Sequence, residues 1–226
     1  MKKMKITALL LSITLVIASC GSMMESNKAK GGAIGGGSGA ALGAIVGGIA
    51  GKGKGAAIGA AVGAAVGTGA GVIIGNKMDK KAAQAAKIEG AQVEQIEDNN
   101  GLAAVKVTFD SGILFEFNSA TLSGASQKSL QDFAMLLKED PTIDIAIIGH
   151  TDKVGTYEAN QTVSNRRAQS VKSFLQRNGV IPAQFQIVEG VGYDQYDEAL
   201  TASQNRRVEV FMYASKEMIT NAEQGF

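Results

Sequence analysis

The 226-residue sequence allows one or two ordinary domains. Its single Cys rules out an internal disulfide framework or a Cys-ligated metal site, and its single His argues against zinc or histidine-based acid–base chemistry. The formal charge of +1 conceals a split: residues 1–89 carry 11 Lys against 3 acidic residues, residues 90–226 carry 11 Lys/Arg against 18. An acidic C-terminal part repels phosphates, so no nucleic-acid partner is expected.

At the N-terminus, Lys2, Lys3 and Lys5 precede an apolar run from Ile6 to Ala18. A run of about 13 residues is short for a bilayer span and suits a secretory signal peptide, residues 1–19. It ends in Leu15-Val16-Ile17-Ala18-Ser19-Cys20, with the only Cys in the sequence at the cleavage position. This resembles the bacterial lipobox. The resemblance implies cleavage before Cys20 and acylation of that cysteine, with palmitate-type chains holding it in a membrane. More than one chain gives stable anchoring. Gly21 rather than an aspartate follows Cys20, which by the same resemblance implies the outer membrane, lipid-anchored and facing the periplasm. Residues 20–30 read as a tether.

Glycine is the abnormal residue: 18 of the 29 glycines fall between Gly31 and Gly75. They include an unbroken four-residue register at positions 31, 35, 39, 43, 47, 51, 55, 59, 63, 67, 71 and 75. Flexible linkers keep no register. A period of four lays glycines along one helical ridge, the ridge that permits close helix crossings. Each helical Gly costs on the order of 1 kcal/mol relative to Ala, so only tight packing or a lipid environment offsets the array. Lys52-Gly53-Lys54 reads as the turn of an all-α hairpin with arms Ala33–Gly51 and Gly55–Gly75. The segment, 31–76, resembles the glycine zippers of bacterial envelope proteins, and self-association through Gly35–Gly75 or insertion in a membrane is expected of it. A packed periplasmic hairpin or a spacer is the other reading. Residues 77–90 read as a short polar linker helix.

From Ala91 the patterns are those of a folded domain, 91–214. Val93–Glu97 and Leu102–Phe109 flank Asp98-Asn99-Asn100-Gly101, a hairpin signal because Asn-Gly turns need positive φ. Leu114–Phe117 reads as a short strand. Ser123 is placed to cap a helix with Leu130, Phe133, Ala134 and Leu137 on one face, stopped by Asp140-Pro141. Ile143, Ile145 and Ile147 alternate in a buried strand. A helix over Tyr157–Asn178 follows, with Val163, Val171, Phe174 and Leu175 inward and Gly179 as its stop. Strands at Gln184–Glu189 and Arg207–Tyr213 complete an α/β, βαβαββ-type two-layer sandwich. The tail, residues 215–226, carries no assignment.

No nucleophile–base–orienter set is visible, and Ser164 with His150 makes only a contrived dyad, so the protein is not expected to be an enzyme. His150, Asp152 and Asp144 read as a strand-end network rather than a metal site, and no cofactor is implied. The stronger pattern is four blocks in order: Phe115-Glu116-Phe117-Asn118-Ser119-Ala120-Thr121-Leu122, Gly149-His150-Thr151-Asp152, Asn160 to Ala168, and Asn205-Arg206-Arg207-Val208-Glu209. Together they resemble the OmpA C-terminal-like domain shared by OmpA, Pal and MotB, over roughly residues 113–213. That resemblance implies non-covalent binding of peptidoglycan through the diaminopimelate of its stem peptide. On the matching positions it makes Asp152 and Arg167 the residues that hold the ligand. Thr151, Asn160 and Arg207 are the supporting positions, with Arg206 or Arg207 adding charge. The chemistry suits it: a carboxylate meets the ligand's ammonium and a guanidinium fork meets its carboxylate. Val163 stands where the family usually has Leu, an apolar exchange expected to face the core. The expected function is to tether the outer membrane to the wall; the alternative is an assembly module acting through the glycine zipper.

Overall fold

The computed structural model describes residues 69–98, 101–115 and 119–226. The signal peptide, Cys20 and nearly all of the glycine zipper lie outside them. Elements in chain order are α1 (Gly69–Ala85), β1 (Ala91–Glu97), β2 (Ala103–Asp110), the one-turn α2 (Ser111–Leu114), α3 (Gly124–Lys138), β3 (Ile143–Gly149), α4 (Tyr157–Arg177), β4 (Phe185–Gly190), the one-turn α5 (Ala202–Asn205), β5 (Arg207–Ala214) and α6 (Lys216–Glu223). The five strands form one mixed sheet in the order β1-β2-β5-β3-β4, and only β3 and β4 are parallel. The α/β sandwich expected from the sequence is the fold observed.

The β1–β2 hairpin pairs Ala91 with Phe109 through to Glu97 with Ala103. Its turn is closed by Asp98, whose carboxylate accepts from Leu102 N at 2.9 Å, with Gly101 at φ +70°. The main core lies between the sheet and its helices. Ile143, Ile145 and Ile147 of β3, Val208, Val210 and Met212 of β5, and Leu130, Phe133, Ala134 and Leu137 of α3 are all fully enclosed there. Phe109 and Phe133 meet edge to face at 5.6 Å between ring centroids. Side-chain caps start the longer helices: Ser123 Oγ accepts from Ser126 N and Thr156 Oγ1 from Ala159 N.

Three segments differ from the sequence reading. First, α1 runs unbroken through position 76, so the last two glycines of the register, Gly71 and Gly75, share a helix with the charged stretch that follows. The helix is not a free linker. Ala70, Ile74, Met78, Ala82 and Ala85 form a stripe inside the core, and Lys81 is buried with them. Its ammonium donates to Leu136 O at 3.0 Å and pairs with Glu139 at 2.8 Å, so a charged residue follows the apolar stripe by reaching out along it. Second, Leu114 closes a helical turn rather than a strand. Asp110 accepts from Gly112 N at 2.6 Å and starts that turn, after which Phe115 makes a single bridge to Leu122. Third, residues 216–223 of the tail form α6, capped by Ser215, with Met218, Ile219 and Ala222 in the core against α1.

Candidate functional site

The site is built where β3 ends and α4 packs across it. Two glycines set that packing. Gly149 and Gly190 are register partners on β3 and β4, and a Cβ on either would lie 2.3 Å or less from the backbone of α4 at Ser164 or Asn165. Without side chains there, the helix backbone seats directly on the strand ends. Asn165 Oδ1 accepts from Gly190 N at 2.8 Å, Ser164 Oγ accepts from Gly192 N at 2.9 Å, and Gln161 Nε2 donates to Gly190 O. Ser164 is thereby a structural residue rather than a nucleophile. Ser164 and Ala168 take the inward face of α4, which turns Val163 and Arg167 toward a neighbouring cavity. Val163 was expected in the core; it is half-buried at the cavity wall instead.

That cavity, of about 610 Å³, is bounded by α2, the loop after β3, α4 and Arg206. It brings Thr151, Asp152, Asn160 and Arg167 together, four of the residues singled out in the sequence. Asp152 turns back on its own loop, one oxygen accepting from Val154 N at 3.0 Å and the other pairing with Arg206 at 2.6 Å. Asn160 braces the same loop by donating to Val154 O at 2.9 Å. Arg167 is 8% exposed and lies over the Phe115 ring at 5.2 Å. Its Nε donates to Ser119 O at 3.2 Å. Among the described residues no carboxylate lies within salt-bridge distance of it. Burial lowers its pKa, and the neighbouring Arg206 charge adds to the shift while Asp152 opposes it. A guanidinium still stays protonated, so a cation with free donors faces this cavity. Two buried hydroxyls at the wall, Thr151 Oγ1 and Ser111 Oγ, also lack hydrogen-bond partners. Buried polar atoms are rarely left so, and a polar ligand would satisfy them.

Arg207 does not join this cavity. It starts β5, and strand alternation sends it and Glu209 to the opposite face of the sheet from Val208. Arg207 Nε donates to Glu209 Oε1 at 2.8 Å, while His150 Nε2 lies 3.2 Å from Glu209 Oε2. Burial raises the Glu209 pKa, but the hydrogen bonds and charges of His150 and Arg207 outweigh it and bring the carboxyl to about 2. Burial holds His150 below its ordinary value despite Glu209. The second guanidinium at the cavity is therefore that of Arg206, and the phase of β5 decides between the two arginines. His150, Asp152 and Asp144 do not converge either. Asp144 sits at the far end of β3, six residues or roughly 20 Å along the strand from His150.

Residues 114–222 match the OmpA family and residues 1–86 match the YMGG-like Gly-zipper family. The OmpA family match thus takes in the folded part from Leu114 to Ala222. The probable lipoprotein YiaD of Escherichia coli (strain K12) is 32% identical over 142 residues, which cover 61% of this chain and 63% of that protein. Outer membrane protein A of Bordetella avium is 30% identical over 127 residues, 54% of this chain and 65% of that one. The chain thus spans less than two thirds of the length of either relative. A MotB-like protein from Desulfovibrio vulgaris, 22% identical, shares the fold with a TM-score of 0.52 over 65% of this chain and 92% of its own. Within the OmpA family match lie Phe115, Thr151, Asp152, Asn160, Val163, Arg167 and Arg206. Ser111 and Gly112 sit just upstream of it and reach the same cavity through α2. Sequence reasoning missed these two; the Asp-Ser-Gly run that caps α2 was the available signal.

Proposed function

We propose that this OmpA family protein anchors the bacterial outer membrane to peptidoglycan, and does so by binding rather than by catalysis. One end is held by lipid on Cys20; the other captures the free zwitterionic end of diaminopimelate in the stem peptide. The observation that carries the reading is Arg167: a buried guanidinium with uncommitted donors, beside Asp152, at the wall of an open polar cavity. The ligand's carboxylate takes the guanidinium fork. Its ammonium takes Asp152, sharing that carboxylate with Arg206, whose side chain is 41% exposed and can swing away at little cost. Thr151 and Ser111 supply hydroxyls, and Asn160 holds the loop in shape.

The names of two relatives support the envelope setting: one is that of a lipoprotein and another that of an outer-membrane protein. Each cavity alone binds weakly, but many anchors on two facing surfaces act together. The test is sedimentation with purified sacculi. Asp152→Ala and Arg167→Ala are each expected to lower the bound fraction at least tenfold with unchanged thermal unfolding, and free diaminopimelate should compete with the unaltered protein. Undiminished sedimentation of both variants would overturn the proposal.

A further inference from the structure

The cavity opens at the end of the domain where β3 and β4 finish, and a second feature shares that end. Thr151, at the cavity wall, donates its backbone N–H to Gly192 O at 2.8 Å, which fastens the loop after β4 to the loop after β3. Three tyrosines stand on these loops and on the helix that follows. Tyr157 opens α4 and meets Tyr193 edge to face, with ring centroids 5.6 Å apart. Its hydroxyl donates to Asp194 at 2.9 Å, which fixes the ring. Tyr196 lies under Lys153, whose ammonium is 4.4 Å from the ring centroid and pairs with Glu198.

The packing of the domain does not call for these rings. None of the three belongs to its apolar cores. Val154 and Tyr157 are two of the six large hydrophobic side chains left exposed among the described residues, at 78% and 44%. They are three positions apart, and both adjoin the site: Val154 lines the cavity, as does Ala159, two residues after Tyr157. An exposed aromatic surface therefore begins at the cavity rim. Exposed apolar surface gathered in one place marks an interaction site.

We propose that this tyrosine platform binds the glycan strand from which the stem peptide hangs, so that one wall fragment is held at two places. The inference rests on the peptidoglycan reading of the cavity and adds a saccharide subsite to it. A pyranose presents a face of C–H groups and a rim of hydroxyls. Tyrosine offers a large, rigid apolar surface with a polar tip, and little conformational entropy is lost on contact. The exposed carboxylates of Asp194 and Glu198 and the Lys153 ammonium stand beside the rings as partners for hydroxyls. The reach also agrees. Tyr157 and Arg167 are ten residues apart on α4, about 15 Å along its axis. Three extended stem residues reach about 10 Å, which brings their sugar to the near side of the platform. Because the two contacts share one short tether, the second forms at high effective concentration.

The test titrates the full chain in detergent micelles with three wall fragments: the diaminopimelate-containing stem peptide, the same peptide carrying its disaccharide, and peptide-free glycan strands. The disaccharide is expected to tighten peptide binding at least fivefold. Combining Tyr157→Leu with Tyr196→Ala should bring that ratio close to one with peptide affinity unchanged, which also shows that the domain is folded. Tyr157→Phe keeps the ring, loses only the bond to Asp194, and should retain the ratio. Equal affinity for the two peptides in the unaltered chain, or a ratio that survives the double substitution, would overturn the platform and leave the cavity standing. Tyrosine-dependent binding of the peptide-free strands without binding of the peptide would support the platform and overturn the cavity. Binding of none of the three would overturn both.

Discussion

The two faces at the start of β5 use the same residue types to opposite ends. On one, Arg206 pairs with Asp152 while Arg167 meets no carboxylate among the described residues, beside an open cavity, with donors to spare and two hydroxyls unpartnered. On the other, Arg207 and His150 are committed to Glu209, and all three are held close to the sheet. Charge alone therefore does not mark a binding site. What separates the two is whether the buried guanidinium has already been paired by the chain itself. A paired one is part of the fold, and an unpaired one waits for an anion.

That contrast can be broken at several points. The largest effect is expected where the helix seats on the strands: Gly190→Ala puts a methyl 2.0 Å from Asn165 N and should destabilise the domain by about 4 kcal/mol in chemical denaturation. Ligand binding should fall with it, since α4 carries Arg167. Next, Glu209→Ala removes the acceptor of a buried cation and should cost about 3 kcal/mol, with sacculus binding retained in the fraction still folded. The pH dependence divides the same way. Glu209 titrates near 2 when folded, below the ordinary range near 4, so the stability it provides is present above that range and is lost as pH falls toward 2.

Asp144 has the opposite sign. Burial raises its carboxyl to about 6, so the folded state keeps a proton that the unfolded chain releases, and stability declines as pH rises from about 4 to 6. Asp144→Asn should raise the unfolding temperature at pH 7 and flatten that window, while leaving the acid limb set by Glu209. The smallest change in stability is expected at the cavity. Arg206→Ala breaks a pair whose arginine is 41% exposed and should cost less than about 1 kcal/mol. It should still weaken sacculus sedimentation, which would sharpen the distinction between a site charge and a structural one.

Much of the domain could be read from periodicity and turn chemistry. The alternating isoleucines of β3, the apolar face of α3 and the Asn-Gly hairpin all obey local rules, and the sheet follows from them. That Asp152 and Arg167 come to one cavity was legible because a strand end and the following helix hold motif residues at a fixed separation. The remainder depended on information outside any local window. Ala70, Ile74, Met78, Ala82 and Ala85 do have helical spacing, but glycines before them and lysines among them disguised one packed helix as the end of a zipper and a polar linker. Lys81 shows why composition misled: its aliphatic stem is buried and only its ammonium finds polar partners. The choice between Arg206 and Arg207 turned on where β5 begins, and a shift of one residue exchanges the two faces.

The course of α1 has a mechanical consequence. It joins the sheet at its C-terminal end beside β1, while Gly69 lies toward the opposite end, so the first described residue and the cavity lie at opposite ends of the strands. A pull between the two is directed along β2, β5 and β3, loading many ladder hydrogen bonds in shear at once instead of peeling them singly. The stripe from Ala70 to Ala85 and the Lys81 clasp fasten the first helix against that same pull.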